Sequence, residues 1–206
     1  MARIKTKTAY LCSACGDDFP KWNGQCPSCK DWGTLSEFKI SAKKNGRDHK
    51  PRETKSFQEV LTADSSERIP TGLLEADRVL GGGLLSGSLI LLGGSPGVGK
   101  STLALQICSG INRKALYISA EESEEQVALR ARRLNIKPDQ LFLSGENELD
   151  GIISHIDRIQ PDLVIIDSIQ TVMNSGLDSL PGSPSQIRDC GQRLLEVSKQ
   201  KNVTVL

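Results

Sequence analysis

Gly94-Ser95-Pro96-Gly97-Val98-Gly99-Lys100-Ser101-Thr102 meets the pattern G-x4-G-K-[ST] without a gap. Glycines at that spacing let successive backbone N–H groups converge on one concavity at a helix N-terminus, which is how a chain holds the β and γ phosphates of a nucleotide such as ATP. Lys100 then adds a point charge to those phosphates, and the Ser101 hydroxyl is a ligand for Mg2+. A chance glycine-rich turn is the competing reading. Against it, the apolar run Ser88 to Leu92 leads in and an amphipathic pattern leads out, the order strand, loop, helix.

Two carboxylates could complete such a site. Leu163-Val164-Ile165-Ile166-Asp167 is four aliphatics ending in an acid. At the C-terminal end of a parallel strand, Asp167 faces the ligand crevice and reaches Mg2+ or its water shell; the plainer alternative is a helix-capping Asp. Ala115-Leu116-Tyr117-Ile118-Ser119 runs into Ala120-Glu121-Glu122, so Glu121 is the candidate general base for an attacking water. Glu121, Glu122, Glu124 and Glu125 are also what a helix N-terminus attracts through its dipole, and both readings hold if Glu121 turns inward and the others are solvated. Arg130, Arg132 and Arg133 are expected on a solvated face, paired with those acids at helical spacing.

A second chemistry precedes this one. Cys12-x2-Cys15 and Cys26-x2-Cys29, each in a turn, present four thiolates suited to one tetrahedral Zn2+ in a closed, structural site. Two disulfides or a redox CxxC pair are the alternatives, the first disfavoured in a reducing compartment and the second needing no repeat. A head of fewer than about 40 residues draws its stability from the metal. Trp22 and Trp32 are expected to pack over the metal turns, with base stacking or partner contact, beside Lys21 and Lys30, as the other option.

The elements that must position these groups follow from periodicity. Strands are expected at Ser88 to Leu92, Ala115 to Ser119, Leu141 to Leu143, Leu163 to Ile166 and Val203 to Leu206. Helical stripes lie between them: Leu103, Ile107, Cys108 and Ile111; Val127, Ala131 and Leu134; Leu149, Ile152, Ile153, Ile156 and Ile159. The alternation predicts an α/β fold with a mostly parallel sheet flanked by helices. Asn174 to Pro184 reads as a mobile loop, followed by a helix capped by Ser185 with Ile187, Cys190, Leu194 and Val197 inward. The expected division is a zinc-binding module over 1–39, a basic linker over 40–56 that includes His49, and a nucleotide-binding domain over 57–206.

Composition bounds the partners. The chain of 206 residues is 37% hydrophobic and 25% charged, a globular balance. No run approaches the roughly 18–20 apolar residues of a membrane span, and the start lacks a signal-peptide core, so a cytoplasmic protein with no membrane partner is expected. Residues 1–56 carry 12 Lys/Arg against 6 Asp/Glu, whereas 57–206 carry 14 against 19. A basic head of that kind favours phosphate backbones through counterion release, although a solvated arm is nearly as common.

Taken together, the four-cysteine head, Ile69-Pro70-Thr71-Gly72, the stretch from Glu75 through Asp77-Arg78-Val79-Leu80-Gly81-Gly82-Gly83 and the phosphate loop resemble the bacterial RadA (Sms) family of DNA repair proteins. The resemblance covers essentially the whole chain and implies a RecA-like P-loop NTPase fold behind a zinc-ribbon-like module. It implies that Ala120-Glu121 supplies the catalytic glutamate, that Asp167-Ser168 follows the metal-binding strand, and that Met173 to Gln186 is a DNA-facing loop. It further implies a DNA-dependent ATPase promoting branch migration on single-stranded and branched DNA, with RecA as partner and a hexameric ring. A RecA-fold ATPase similar to KaiC, acting on proteins, and a non-hydrolysing nucleotide-switched adaptor are the alternatives. Val203-Thr204-Val205-Leu206 reads as a buried strand with no turn after it, and the family's later Lys-Asn-Arg-Phe-Gly motif and Lon-protease-like domain are absent from the 206 residues. A truncated reading frame is therefore expected, with ring assembly and coupling to DNA impaired.

Overall fold

The computed structural model describes residues 7–40, 54, 56–62, 68–136, 139–177 and 179–206. Most of the expected linker, including His49, lies outside the described residues. The chain divides into two compact units, one drawn from 1–65 with 183–185 and the other from 66–182 with 186–206.

In the first unit β1 (Lys7–Cys12), β2 (Asp18–Phe19) and β3 (Leu35–Ile40) form an antiparallel sheet in the order β2-β1-β3. The register runs from Lys7 opposite Ile40 to Cys12 opposite Leu35, so the first cysteine turn begins where the β1–β3 ladder ends. Cys12, Cys26 and Leu35 are buried, with Tyr10, Phe19, Cys15 and Cys29 packed around them. Trp22 and Trp32 do not cover the metal turns as expected. They are 60% and 75% exposed and converge on Gly24, where a Cβ would lie 3.4 Å from the Trp32 ring and 3.8 Å from that of Trp22. Strand residues Tyr10, Phe19 and Leu35 line the inner side instead, while the tryptophans sit outside the three-stranded sheet. A short helix, α1 (Phe57–Thr62), closes the unit's sequence, with Ser56 and Glu59 exchanging side-chain to backbone bonds at its start.

The second unit opens with β4 (Arg68–Ile69), α2 (Leu74–Val79) and β5 (Leu84–Leu85), the two strands pairing antiparallel. Asp77 Oδ1 accepts from both the Thr71 amide and hydroxyl at 2.8 Å, fixing the Ile69-Pro70-Thr71-Gly72 turn. There follow α3 (Lys100–Gly110), β6 (Ala115–Ser119), α4 (Glu124–Arg133), β7 (Leu141–Ser144), α5 (Leu149–Ile159), β8 (Leu163–Asp167), α6 (Pro184–Lys201) and β9 (Thr204–Val205). The four strands β7-β6-β8-β9 are all parallel.

Alternation along the strands sends side chains to two cores. Ala115, Tyr117, Leu163 and Ile165 join Ala104, Leu105, Ile107 and Cys108 of α3 and Val127 of α4. Leu116, Ile118, Val164 and Val205 join Leu149, Ile152 and Ile156 of α5 and Cys190, Leu194 and Val197 of α6. A sheet buried on both faces explains why these strands read as continuous apolar runs. Burying one such side chain contributes about 1.5–3 kcal/mol, so both layers are needed to hold the strand ends in register.

Two local expectations are corrected. Ser88 to Leu92 is no full strand: Leu89 alone bridges Val205, through Ile90 N–H to Val205 O at 2.8 Å and Val205 N–H to Ser88 O at 2.9 Å. The partner β9 is only two residues long, which limits the ladder. The last helix begins at Pro184, so Ser185 lies inside its first turn and is not the cap; proline's fixed φ suits that position. Among the described residues no helix is long and apolar enough to cross a membrane.

Candidate nucleotide and metal sites

Register brings the functional segments to one edge. Leu89, Val205, Val164 and Leu116 stand level across the parallel strands. Three residues further on, Asp167 and Ser119 are directly paired, and the chain from Leu89, bridged in parallel to Val205, runs on to Gly94. The phosphate loop, Asp167 and the Ala120-Glu121 turn therefore leave the sheet from its C-terminal edge, where parallel α/β sheets bind ligands.

Gly97 and Gly99 have φ of +76° and +101°, the left-handed region, and a Cβ at either would meet nothing within 4 Å. Gly99 is the N-cap of α3, and no side chain caps it, so the amides of Lys100, Ser101 and Thr102 remain unbonded within the helix. The Lys100 Nζ donates to Gly94 O at 2.9 Å and Ser95 O at 3.1 Å, lying across the loop. Open left-handed glycines, unspent amides and an ammonium with a third proton fit a triphosphate.

Asp167 ends β8 half-buried. Tyr117, fully buried in the neighbouring strand, donates its hydroxyl to Asp167 Oδ2 at 2.5 Å. Burial, then the hydrogen bond and charge of Asp167, push the Tyr117 phenol far above its usual range, so it stays a donor. Oδ1 accepts no hydrogen bond among the described residues, which suits a hard cation or its water.

Glu121 lies ahead of α4 and not in it. Ser119 Oγ bonds Glu122 O at 2.9 Å and accepts from the Glu122 amide, forming the turn, and Ser123 with Gln126 forms a capping box. The exposed Glu121 accepts a 2.5 Å hydrogen bond from Ser168 Oγ, next to Asp167 in sequence. Ser168 thus joins the two acids. The remaining acids are not simply solvated: Glu122 pairs with Arg130, and Glu124 accepts from Gly145 N–H at 2.9 Å. Arg130 reaches eight residues back to an acid outside the helix, rather than pairing at helical spacing. Glu124 and Glu125 remain in the first turn, where the dipole favours them.

The sulfurs of Cys12, Cys15, Cys26 and Cys29 all lie within 4.8 Å of one another, with Cys12–Cys29 at 3.7 Å and Cys15–Cys26 at 3.6 Å. Sulfurs about 2.3 Å from a tetrahedral Zn2+ stand about 3.8 Å apart, so the cluster fits the ion, and all four cysteines are free of disulfides. The two turns are copies of one another. Gly16 N–H bonds Cys12 O at 2.9 Å and Lys30 N–H bonds Cys26 O at 3.0 Å, while Cys12 and Cys26 N–H bond Asp17 O and Asp31 O. Burial raises the Cys12 thiol, but the Thr34 hydroxyl and the amides of Cys15 and Ala14 outweigh it, lowering it to about 6, whereas the Asp17 and Asp31 amides that lower Cys15 and Cys29 are outweighed by burial and the neighbouring thiols, so both rise, Cys29 to about 12.

Sequence reasoning missed Tyr117, Thr34 and the bridging role of Ser168. Each acts across a gap of tens of residues or through strand register, which local patterns do not carry. Gln186 was missed as well: 1% exposed, it accepts from Asn174 N–H at 2.9 Å and donates to Ser179 O at 2.9 Å, two residues of the stretch read as a loop.

A parallel sheet with helices on both faces and a phosphate loop at its C-terminal edge, together with a four-thiolate zinc site, defines a RecA-like P-loop protein with a zinc ribbon. The chain belongs to the AAA domain family, whose match spans residues 52–206, and residues 10–37 match the rubredoxin metal binding domain. It is 41% identical to the DNA repair protein RadA of Listeria monocytogenes over 100% of its length, and 42% identical to that of Bacillus subtilis over 98%. The chain spans 46% of the length of each of these relatives. The resemblance read from the motifs is thus borne out. Among solved structures, a KaiC-like protein of Pyrococcus horikoshii superposes with a TM-score of 0.56 at 19% identity, covering 68% of this chain and 69% of that one, a likeness of fold.

Proposed function

We propose that the chain is the zinc-ribbon and ATPase portion of an ATP-dependent DNA repair motor, with residues 1–39 as the ribbon, 40–56 as linker and 57–206 as the ATPase domain. Lys100 and the amides of 94–102 hold the phosphates of ATP, while Ser101 and Asp167 hold Mg2+. When bound, Mg2+ neutralises charge on the phosphate oxygens. Glu121 orients the attacking water and takes its proton, and Lys100 with the loop amides meets the charge spreading over the transferred phosphoryl group. ADP and phosphate are the products.

The observation that carries this reading is the Ser168 to Glu121 hydrogen bond, which joins an acid following β6 to the residue after Asp167, at the edge from which the phosphate loop emerges. Branch migration on single-stranded and branched DNA, partnership with RecA and a hexameric ring are what the resemblance to the RadA family implies, and they enter as part of the proposal. The test is Glu121→Gln: ATP affinity stays within about twofold and hydrolysis falls at least about 100-fold, the scale of a lost general base. Wild-type turnover in that variant would overturn the mechanism. Stimulation of turnover by single-stranded DNA supports the DNA-directed reading, and a DNA-indifferent rate supports a KaiC-like role on proteins.

A further inference from the structure

Ser168 has one hydroxyl proton and two acceptors. Its Oγ stands 2.5 Å from Glu121 Oε1 and 2.9 Å from Gln170 Oε1. The carboxylate is the stronger acceptor, because a hydrogen bond to an ionised group is shorter and about twice as strong as a neutral one. Gln170 is held close enough to compete by the turn it belongs to: the Thr171 amide and hydroxyl both donate to Ser168 O, at 3.1 and 2.7 Å. Only one oxygen of Glu121 is engaged in this way, which leaves the other for a water proton.

Gln170 also touches the segment that follows. Gly182, at φ +76°, approaches so closely that a Cβ there would stand 3.2 Å from Gln170 O. Further along, Gln186 closes the base of the segment through Asn174 and Ser179. Gly182 is thus the point at which the segment comes up against the Gln170 backbone.

We propose that Ser168 is a positioning residue for Glu121, and that Gln170, by competing for the Ser168 proton, couples the 171–186 segment to that glutamate. With the proton on Glu121 the carboxylate plane is fixed. With the proton drawn to Gln170, Glu121 is released. The proposal rests on Glu121 being the base, so its test has an arm independent of hydrolysis.

In the 15N-labelled chain, Glu121→Gln weakens the claim on the proton and shifts the Gln170 side-chain amide resonances, whereas Glu125→Gln does not. Ser168→Ala abolishes the response to Glu121→Gln. Gly182→Ala also shifts the Gln170 amide. A Gln170 amide that ignores Glu121→Gln overturns the Ser168 competition, and one that ignores Gly182→Ala overturns the link to the segment. In kinetics, Ser168→Ala keeps ATP affinity and lowers the hydrolysis rate about 10-fold or more, as expected when a reacting group loses fixed orientation. Ser168→Thr, which retains the hydroxyl, restores most of the rate. Wild-type turnover in Ser168→Ala while Glu121→Gln is inactive overturns the positioning role. Wild-type turnover in Glu121→Gln would instead sink the functional reading, with the resonance shifts still judging the hydrogen-bond link.

Discussion

Tyr117→Phe is the substitution whose effect the structure specifies most fully. The ring is 0% exposed and packs in the α3 core, so phenylalanine preserves the packing and removes only the hydroxyl that donates to Asp167 at 2.5 Å. A hydrogen bond to a charged acceptor contributes about 1.5–3 kcal/mol, so the variant is expected to lose that much stability at pH 7. For a chain of this size, that corresponds to a drop in Tm of roughly 3–12 °C. The pH dependence has a definite sign. Burial, and then Asp167, raise the folded phenol above its unfolded value, so its contribution is complete below the unfolded pKa of about 10 and is lost as pH rises toward the folded one. The loss is at most about 1.4 kcal/mol per pH unit, and phenylalanine has none of it. The gap between wild type and variant should therefore narrow above about pH 10. Cys108 and Cys190, whose thiols burial pushes up to about 12 and about 11, weaken the fold in the same alkaline range in both proteins. Urea unfolding followed by far-ultraviolet circular dichroism at neutral and alkaline pH reads the gap. A neutral-pH difference below about 0.5 kcal/mol, the scale of an inert surface change, or a gap that stays constant into the alkaline range, would refute the reasoning.

Two further outcomes test other parts of the fold. Elemental analysis of the chain grown with zinc should give about one equivalent of zinc, lost on Cys26→Ser; full occupancy in that variant would remove the sulfur cluster as the site. Gly110→Ala would place its Cβ 1.7 Å from Thr71 O, a clash with backbone that neither α3 nor the Thr71–Asp77 turn can yield to without moving. A loss of about 3 kcal/mol or more is expected by calorimetry, and a melting temperature within about 2 °C of wild type would show that this contact is not needed.

What was legible in the sequence was what the backbone encodes locally. The glycines and Lys100 announce the phosphate loop because the loop is built from consecutive amides, and the paired CxxC turns announce the metal because each knuckle is a local turn. Ala115–Ser119 and Leu163–Asp167 were legible as strands because burial on both faces leaves no polar alternation. Partners set by register were not. Tyr117 meets Asp167 only because Ser119 pairs with Asp167, and Arg130 finds Glu122 only because the turn after β6 folds back toward α4. The tryptophans misled because their size suggested burial, while the small ribbon fills its interior from strand residues and leaves both rings exposed. The run Ser88 to Leu92 has the composition of a strand, yet a ladder needs a partner of matching length, and β9 supplies one aligned residue.

Equilibrium binding of MgATP to the wild-type chain and to Lys100→Ala tests the central claim, that the cradle from Gly94 to Thr102 holds a triphosphate. Loss of a charge-assisted contact worth about 1.5–3 kcal/mol predicts a weakening of about 10- to 150-fold. An affinity unchanged within about twofold would mean that the nucleotide, if bound, sits elsewhere, and would contradict the account.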